Sequence, residues 1–161
     1  MGRLGVVTAG SSLYVTEPVG GPANQPAYRN AVVAWVPAPP WRGPRRAVAG
    51  LLAVERALGR VRRQRWGPRT IDLDLLAWDG DRGTPASGGR GPAAVVPHPR
   101  ARERAFVLVP WAEVAPGWRH PEDGRTIADL AAALGRAGVR AAPPAEVRAW
   151  EAALRAARGP R

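Results

Sequence analysis

The chain of 161 residues contains neither cysteine nor lysine. Without cysteine, disulfides, thiol nucleophiles and cysteine-ligated zinc are excluded. Without lysine there is no Schiff-base chemistry and no Walker-type phosphate loop, which depends on its lysine. No apolar run approaches the roughly 20 residues that a membrane-spanning helix requires. No signal-like stretch opens the chain, so a soluble cytoplasmic protein without a membrane partner is expected. The length suits one domain whose core needs neither disulfide nor structural metal.

What the chain has instead is arginine. All 24 basic residues are Arg, and the formal net charge is +11. Complete replacement of Lys by Arg, beside abundant Ala, Gly and Pro, resembles GC-rich coding more than selection at each site. The charge favours anionic partners of any kind, ATP and nucleic acid alike.

Hydrophobic patterning predicts strands over Val6–Thr16 and Arg29–Val36, joined by a Pro/Gly-rich loop. A proline-rich break follows from Pro37 to Pro44. Arg45–Leu58 has helical spacing, with Val48, Leu51, Leu52, Glu55 and Leu58 on one face and Gly59 as the stop. Asp79 to Ala94 is Gly-rich and reads as a mobile loop. A short extended piece surrounds Val96-Pro-His-Pro99. Helices are expected within Ala105–Ala115, with Phe106, Val109 and Val114 inward, and over Ile127–Leu134, with Thr126 as cap. Residues 1–135 read as one domain. Residues 136–161 read as an Ala/Arg-rich extension containing a surface helix or a frayed tail. Strands mixed with helices suggest an α+β fold, a small mostly antiparallel sheet with packed helices.

The most informative segment is Arg65-Trp-Gly-Pro-Arg-Thr-Ile-Asp-Leu-Asp-Leu-Leu76. After the Gly67-Pro68 turn signal the residues alternate strictly. A strand over Thr70–Trp78 places Ile71, Leu73 and Leu75 on one side and Asp72 and Asp74 on the other. The two carboxylates are then roughly 6–7 Å apart. One reading is a half-buried strand with a solvated acidic face. The other is hard-cation chemistry, in which two carboxylates hold Mg²⁺ that neutralises polyphosphate oxygens. Arg60, Arg62, Arg65 and Arg69, all within twelve residues of the pair, favour a phosphate site.

The segment Gly59-Arg-Val-Arg-Arg-Gln-Arg-Trp-Gly-Pro-Arg-Thr-Ile-Asp-Leu-Asp-Leu-Leu76 resembles the signature of the 6-hydroxymethyl-7,8-dihydropterin pyrophosphokinase family. Two further blocks are similar to that family. One is Ser11-Ser-Leu-Tyr-Val-Thr-Glu-Pro-Val-Gly20 with Gln25-Pro-Ala-Tyr-Arg-Asn-Ala-Val32, and the other is Val96-Pro-His-Pro-Arg-Ala-Arg-Glu-Arg-Ala-Phe106 and the residues to Pro116. The three blocks run in order from about Val6 to Leu134.

The resemblance implies a ferredoxin-like α+β sandwich and transfer of pyrophosphate from ATP to the pterin's hydroxymethyl oxygen, releasing AMP, in folate biosynthesis. It implies that Asp72 and Asp74 hold two Mg²⁺ ions and that Arg60 and Arg69 act in catalysis. Glu55, Arg60, Arg62, Arg69, His98 and Arg104 would contact ATP. Tyr28, Trp66 and Phe106 would form the aromatic pterin pocket, with Asn30 reading the pterin edge and Thr16 and Val19 giving backbone contacts. His120 matches no site position and is expected on the surface. Other folate-pathway enzymes, fused or associated, are partners the resemblance leaves open.

The chain departs from the family pattern in three places. Met1 falls almost directly before what would be the second strand, so the first strand and helix are expected to be missing and the native start to lie upstream. Position 17 is Glu where proline is usual, and residues 79–94 are unusually rich in Gly. Two other functions remain in view. A non-catalytic remnant would keep the motifs without a working site. A basic nucleic-acid-binding module would account for the charge and the seven Trp. A charge excess is a much less specific signal than three ordered motifs, so nucleic acid ranks last as a partner.

Overall fold

The computed structural model describes residues 4–18, 25–60, 70–79 and 94–158. The fold is α+β. Among the described residues five short strands and four helices follow in the order β1 (Gly5–Gly10), β2 (Tyr14–Thr16), β3 (Tyr28–Asn30), β4 (Val33–Pro37), α1 (Pro44–Ala57), α2 (Ala105–Val114), α3 (Ile127–Leu134), β5 (Val139–Ala141) and α4 (Pro144–Ala157), with a 3-10 turn at Ala101–Glu103. They divide into two compact units. The first holds α1 with the segments 70–79 and 94–99, and the second holds the strands with α2, α3 and α4.

In the first unit, α1 begins with Pro44, whose missing N–H costs nothing at a helix start. Its buried face carries Ala47, Gly50 and Glu55. Gly50 is there for closeness: a Cβ would stand 2.9 Å from Leu4 Cδ2 and 3.0 Å from the Trp41 ring. Gly59 adopts φ 77°, the left-handed conformation that ends helices. The turn it makes lets the Arg60 N–H reach back to the Glu55 carbonyl at 3.0 Å.

The segment Thr70–Trp78 forms no strand of either sheet. This corrects the sequence expectation, although the alternation behind it survives. Ile71, Leu73 and Leu75 are more buried than Asp72 and Asp74 between them. A strand needs a ladder partner, and two backbone groups of this segment bond elsewhere. The Leu73 N–H is taken by Glu55 Oε1 at 2.7 Å, and the Leu76 carbonyl accepts from the His98 N–H at 2.8 Å.

In the second unit, each of the two long strands expected from the sequence is broken in two. The Val6–Thr16 pattern becomes β1 and β2, and the Arg29–Val36 pattern becomes β3 and β4. The breaks face each other. The Ser11 N–H donates to the Val32 carbonyl at 2.9 Å, and the Val32 N–H donates to Ser11 Oγ at 2.9 Å. Beyond the breaks, β1 pairs with β4, while β2 is the centre of a second sheet ordered β3-β2-β5. Both pairings of β2 are antiparallel, and Val15 lies opposite Arg29 on one side and Arg140 on the other.

Residues 136–158 thus supply a strand to this sheet. They also supply α4, which packs against β1. The Trp150 Nε1–H donates to the Ser11 carbonyl at 2.8 Å, and Leu154 fills the space beside Gly10. Arg29 forms a two-pronged ion pair with Glu146, both bonds at 2.8 Å, and Arg140 pairs with Glu17.

Helix α2 buries Leu108, Val109, Pro110 and Trp111, covering most of its circumference, as expected of an apolar helix inside a core. It packs against α3, which buries Ile127 and Leu130. Thr126 caps α3 as the sequence predicts, and Asp129 returns the bond in a full capping box. The expectation for His120 is corrected. It is 3% exposed, because the loop that carries it folds its ring against Trp118, which in turn lies 5.1 Å from Trp111.

Candidate functional site

The first unit gathers Glu55, Arg60, Asp72, Asp74 and His98. Glu55 comes from the last turn of α1 and is 2% exposed. Its Oε1 accepts from Arg60 Nη1 and from the Leu73 N–H. A buried carboxylate is tolerated only when paired and hydrogen-bonded, and here both conditions are met. Arg60 spans two acids, because its Nη2 lies 2.9 Å from Asp72 Oδ1. The Gly59 turn is what folds this guanidinium back over the helix end. The result is a rigid chain of contacts from α1 through Glu55 and Arg60 to the acidic segment.

Asp72 and Asp74 themselves remain accessible, with side chains 42% and 47% exposed. His98, held by its main-chain bond to Leu76, brings Nε2 to 3.9 Å from Asp74 Oδ2. Among the described residues no cluster of three His, Asp or Glu could enclose a metal ion. Any cation here would rely on the two Asp, water and a ligand's own oxygens.

The second unit gathers Thr16, Tyr28, Asn30, Arg104 and Phe106. Asn30 Nδ2 donates to Thr16 Oγ1 at 2.7 Å. Phe106, at the start of α2, packs on the cluster of Tyr14, Val109 and Val139. The Arg104 guanidinium lies 5.7 Å from the centre of the Phe106 ring. Val19, Arg62, Trp66 and Arg69 lie outside the described residues, as do the neighbouring Arg65 and most of the Gly-rich segment.

Sequence reasoning missed a second polar network. Glu113 at the end of α2 accepts from the Tyr14 hydroxyl and, at 2.7 Å, from the Ser12 N–H. Arg136 donates to the same hydroxyl at 3.1 Å, with its guanidinium 5.5 Å from the Tyr14 ring centre. Burial pushes the Glu113 carboxyl up, but the bonds from Tyr14 and Ser12 outweigh it and hold the group below the usual carboxylate range. Burial and the Glu113 partner together push the Tyr14 phenol up. The sequence offered only the shared face of Tyr14 and Thr16 at alternate positions as a clue.

Comparison with known proteins gives this arrangement its family. The sequence model described as 7,8-dihydro-6-hydroxymethylpterin-pyrophosphokinase (HPPK) matches residues 1–116. Three similar relatives carry the name 2-amino-4-hydroxy-6-hydroxymethyldihydropteridine pyrophosphokinase. The protein of Synechocystis sp. is 41% identical over 120 residues, covering 74% of this chain and 56% of the relative. That of Pseudomonas aeruginosa is 40% identical over 139 residues, covering 86% and 79%. That of Mycobacterium tuberculosis is 41% identical over 111 residues, covering 67% and 57%. The chain therefore spans little more than half the length of two of these relatives. It is an α+β protein with an aspartate–arginine cluster at the end of a helix, and it belongs to the HPPK family.

Proposed function

We propose that the protein transfers the pyrophosphoryl group of ATP to the hydroxymethyl oxygen of 6-hydroxymethyl-7,8-dihydropterin, releasing AMP, as a step of folate biosynthesis in the cytoplasm. The observation that carries this reading is the Glu55–Arg60–Asp72 chain, which lies inside the matched family region and ends at two accessible carboxylates. The ferredoxin-like arrangement of the family is the fold we assign to the domain, residues 1–135, to which the C-terminal segment 136–161 adds β5 and α4.

Phosphoryl-type transfer needs positioning and charge stabilisation more than a covalent relay. The chain's composition agrees with that requirement, since it has no cysteine or lysine nucleophile. Arg60 and Asp72 are held in a fixed relation by Glu55, so their orientation costs nothing at the moment of reaction. Arg62, Arg69 and Arg104 supply further guanidinium groups for phosphate oxygens. His98 is assigned to the nucleotide, and so is Glu55, which acts on it through Arg60.

The donor set fits magnesium. Mg²⁺ binds through one or two carboxylates, keeps several waters and takes its remaining oxygens from substrate phosphates. Asp72 and Asp74 would hold two such ions, which when bound neutralise the phosphate charge and orient the displacement. On the pterin side, Tyr28, Trp66 and Phe106 provide aromatic surface for the flat bicycle. Asn30 offers both a donor and an acceptor to its amide-like edge, and Thr16 and Val19 add main-chain contacts.

The test is release of AMP from ATP and the hydroxymethyl dihydropterin in the presence of Mg²⁺. Release that depends on both substrates supports the reading. ATP binding without AMP release would instead mark the chain as a non-catalytic member of its family.

A further inference from the structure

Arg104 stands where the chain passes from the 3-10 turn into α2. On the helix side its carbonyl accepts from the N–H groups of Val107 and Leu108, both at 3.0 Å. On the other side its N–H donates at 3.2 Å to the carbonyl of Ala101, a fully buried residue of the turn. Arg104 itself is extended, with φ −120° and ψ 107°. The direction of its side chain therefore follows from where the turn sits against the helix.

Arg102 ties that turn down. Its Nη1 donates to Glu122, and its Nη2 donates to Asp123 Oδ2 at 3.1 Å, so one guanidinium bridges two acids. The acids are carried on a built segment rather than a loose loop. The Gly124 N–H donates to the His120 carbonyl at 2.8 Å, and the His120 N–H donates to the Arg125 carbonyl at 2.9 Å. Asp123 Oδ1 accepts from the Arg125 N–H at 3.1 Å, and the buried His120 ring anchors the segment edge-on against Trp118. A planar guanidinium with its donors in a fixed fork suits such a pair of acceptors. Ion pairs as accessible as these contribute little to stability, and what they supply here is position.

We propose that Arg102 is a positioning residue: clamped between Glu122 and Asp123, it fixes the 3-10 turn and so aims the Arg104 guanidinium at the phosphates of ATP. This rests on the assignment of Arg104 to ATP. A group held in place before its ligand arrives loses less freedom on binding. The direct alternative, in which Arg102 itself binds phosphate, predicts the opposite sign when the acids are removed. Arg102 would then be released toward the nucleotide, and ATP would bind more tightly. Under the clamp, the turn loosens and ATP binds less tightly.

Calorimetry on the full chain, with ATP and Mg²⁺ and separately with the hydroxymethyl dihydropterin, reads the effect without requiring turnover. ATP affinity should fall about threefold to fivefold in Arg102→Met, the upper range for an accessible ion-pair network. It should fall to a similar extent in the double variant Glu122→Gln with Asp123→Asn, while pterin affinity stays as in the native protein. The double variant is decisive, because losing two negative charges would by long-range attraction favour ATP. Unchanged or tighter ATP binding in the double variant overturns the proposal. An equal loss of pterin affinity also overturns it, since that marks general loosening. Should the double variant not fold, Glu122→Gln alone, at a side chain 68% exposed, decides by the same sign. A native protein that binds no ATP overturns the assignment of Arg104 as well.

Discussion

The main-chain N–H of Leu73 donates to the buried carboxylate of Glu55 at 2.7 Å, which ties the acidic segment to the end of α1 by a single side chain. The same oxygen accepts from Arg60. Glu55→Ala would leave a mostly buried guanidinium and a main-chain donor without their acceptor. Breaking such a pair from one side costs about 3–5 kcal/mol, a large share of a small domain's stability. Urea denaturation should show the midpoint falling steeply, and a shift under about 0.5 kcal/mol would mean that the site does not depend on this carboxylate.

Asp72→Asn and Asp74→Asn should behave in the opposite way. Both side chains are nearly half exposed, so removing a charge there should change stability by less than about 1 kcal/mol. Mg²⁺-dependent AMP release should nevertheless fall by about 100-fold or more, the scale seen when a group that stabilises developing charge is removed. Parallel thermal melts and turnover assays separate the two effects. Undiminished turnover in both variants would remove the two Asp from the proposed chemistry.

The helices were the most legible part of the chain, because α1 and α3 are specified within their own residues. Pro44 and Gly59 mark the ends of α1, and Thr126 with Asp129 marks the start of α3. The strand breaks were not legible, since they depend on a bond between Ser11 and Val32, twenty-one residues apart. The acidic segment shows both cases at once. Its alternation was visible and persists in its burial, whereas its lack of a ladder depends on Glu55 and His98 from elsewhere in the chain. For His120 the lack of a matching site position suggested the surface, and only the packing of Trp118 and Trp111 reveals burial.

Three carboxylates make stability fall in acid. Glu113 is held low by the bonds from Tyr14 and Ser12 that outweigh its burial, Asp129 by the Thr126 hydroxyl, and Glu146 by Arg29. A carboxylate whose value is depressed on folding contributes stability above its unfolded value and loses it as pH falls through the folded one. The decline should therefore begin near about pH 4.5 and continue below it. Thermal melts of the native protein and Glu113→Gln across this range should converge as the pH drops. Parallel curves would show that Glu113 is not among the groups responsible.

Gly50→Ala should destabilise the first unit even though alanine is the better helix former by about 1 kcal/mol. The added methyl would stand 2.9 Å from Leu4 Cδ2 and 3.0 Å from the Trp41 ring, and crowding of this kind costs about 1–3 kcal/mol. Pairing Gly50→Ala with Trp41→Leu should recover most of the loss in a double-mutant cycle. Additive effects would locate the strain elsewhere.

The crease at Ser11 and Val32 also sets how much open strand edge the sheet presents. An unbroken pair of strands would present a long, flat rim of unsatisfied main-chain groups, the template on which chains aggregate. Here the rims of the three-stranded sheet are β3 and β5, each three residues long, with Arg29 and Arg140 at their centres. A neighbouring copy would find few groups to bond and, in the middle of each rim, a long side chain already held in an ion pair, Arg29 with Glu146 and Arg140 with Glu17. By folding one ribbon into two, a single serine hydroxyl leaves the three-stranded sheet with rims only three residues long.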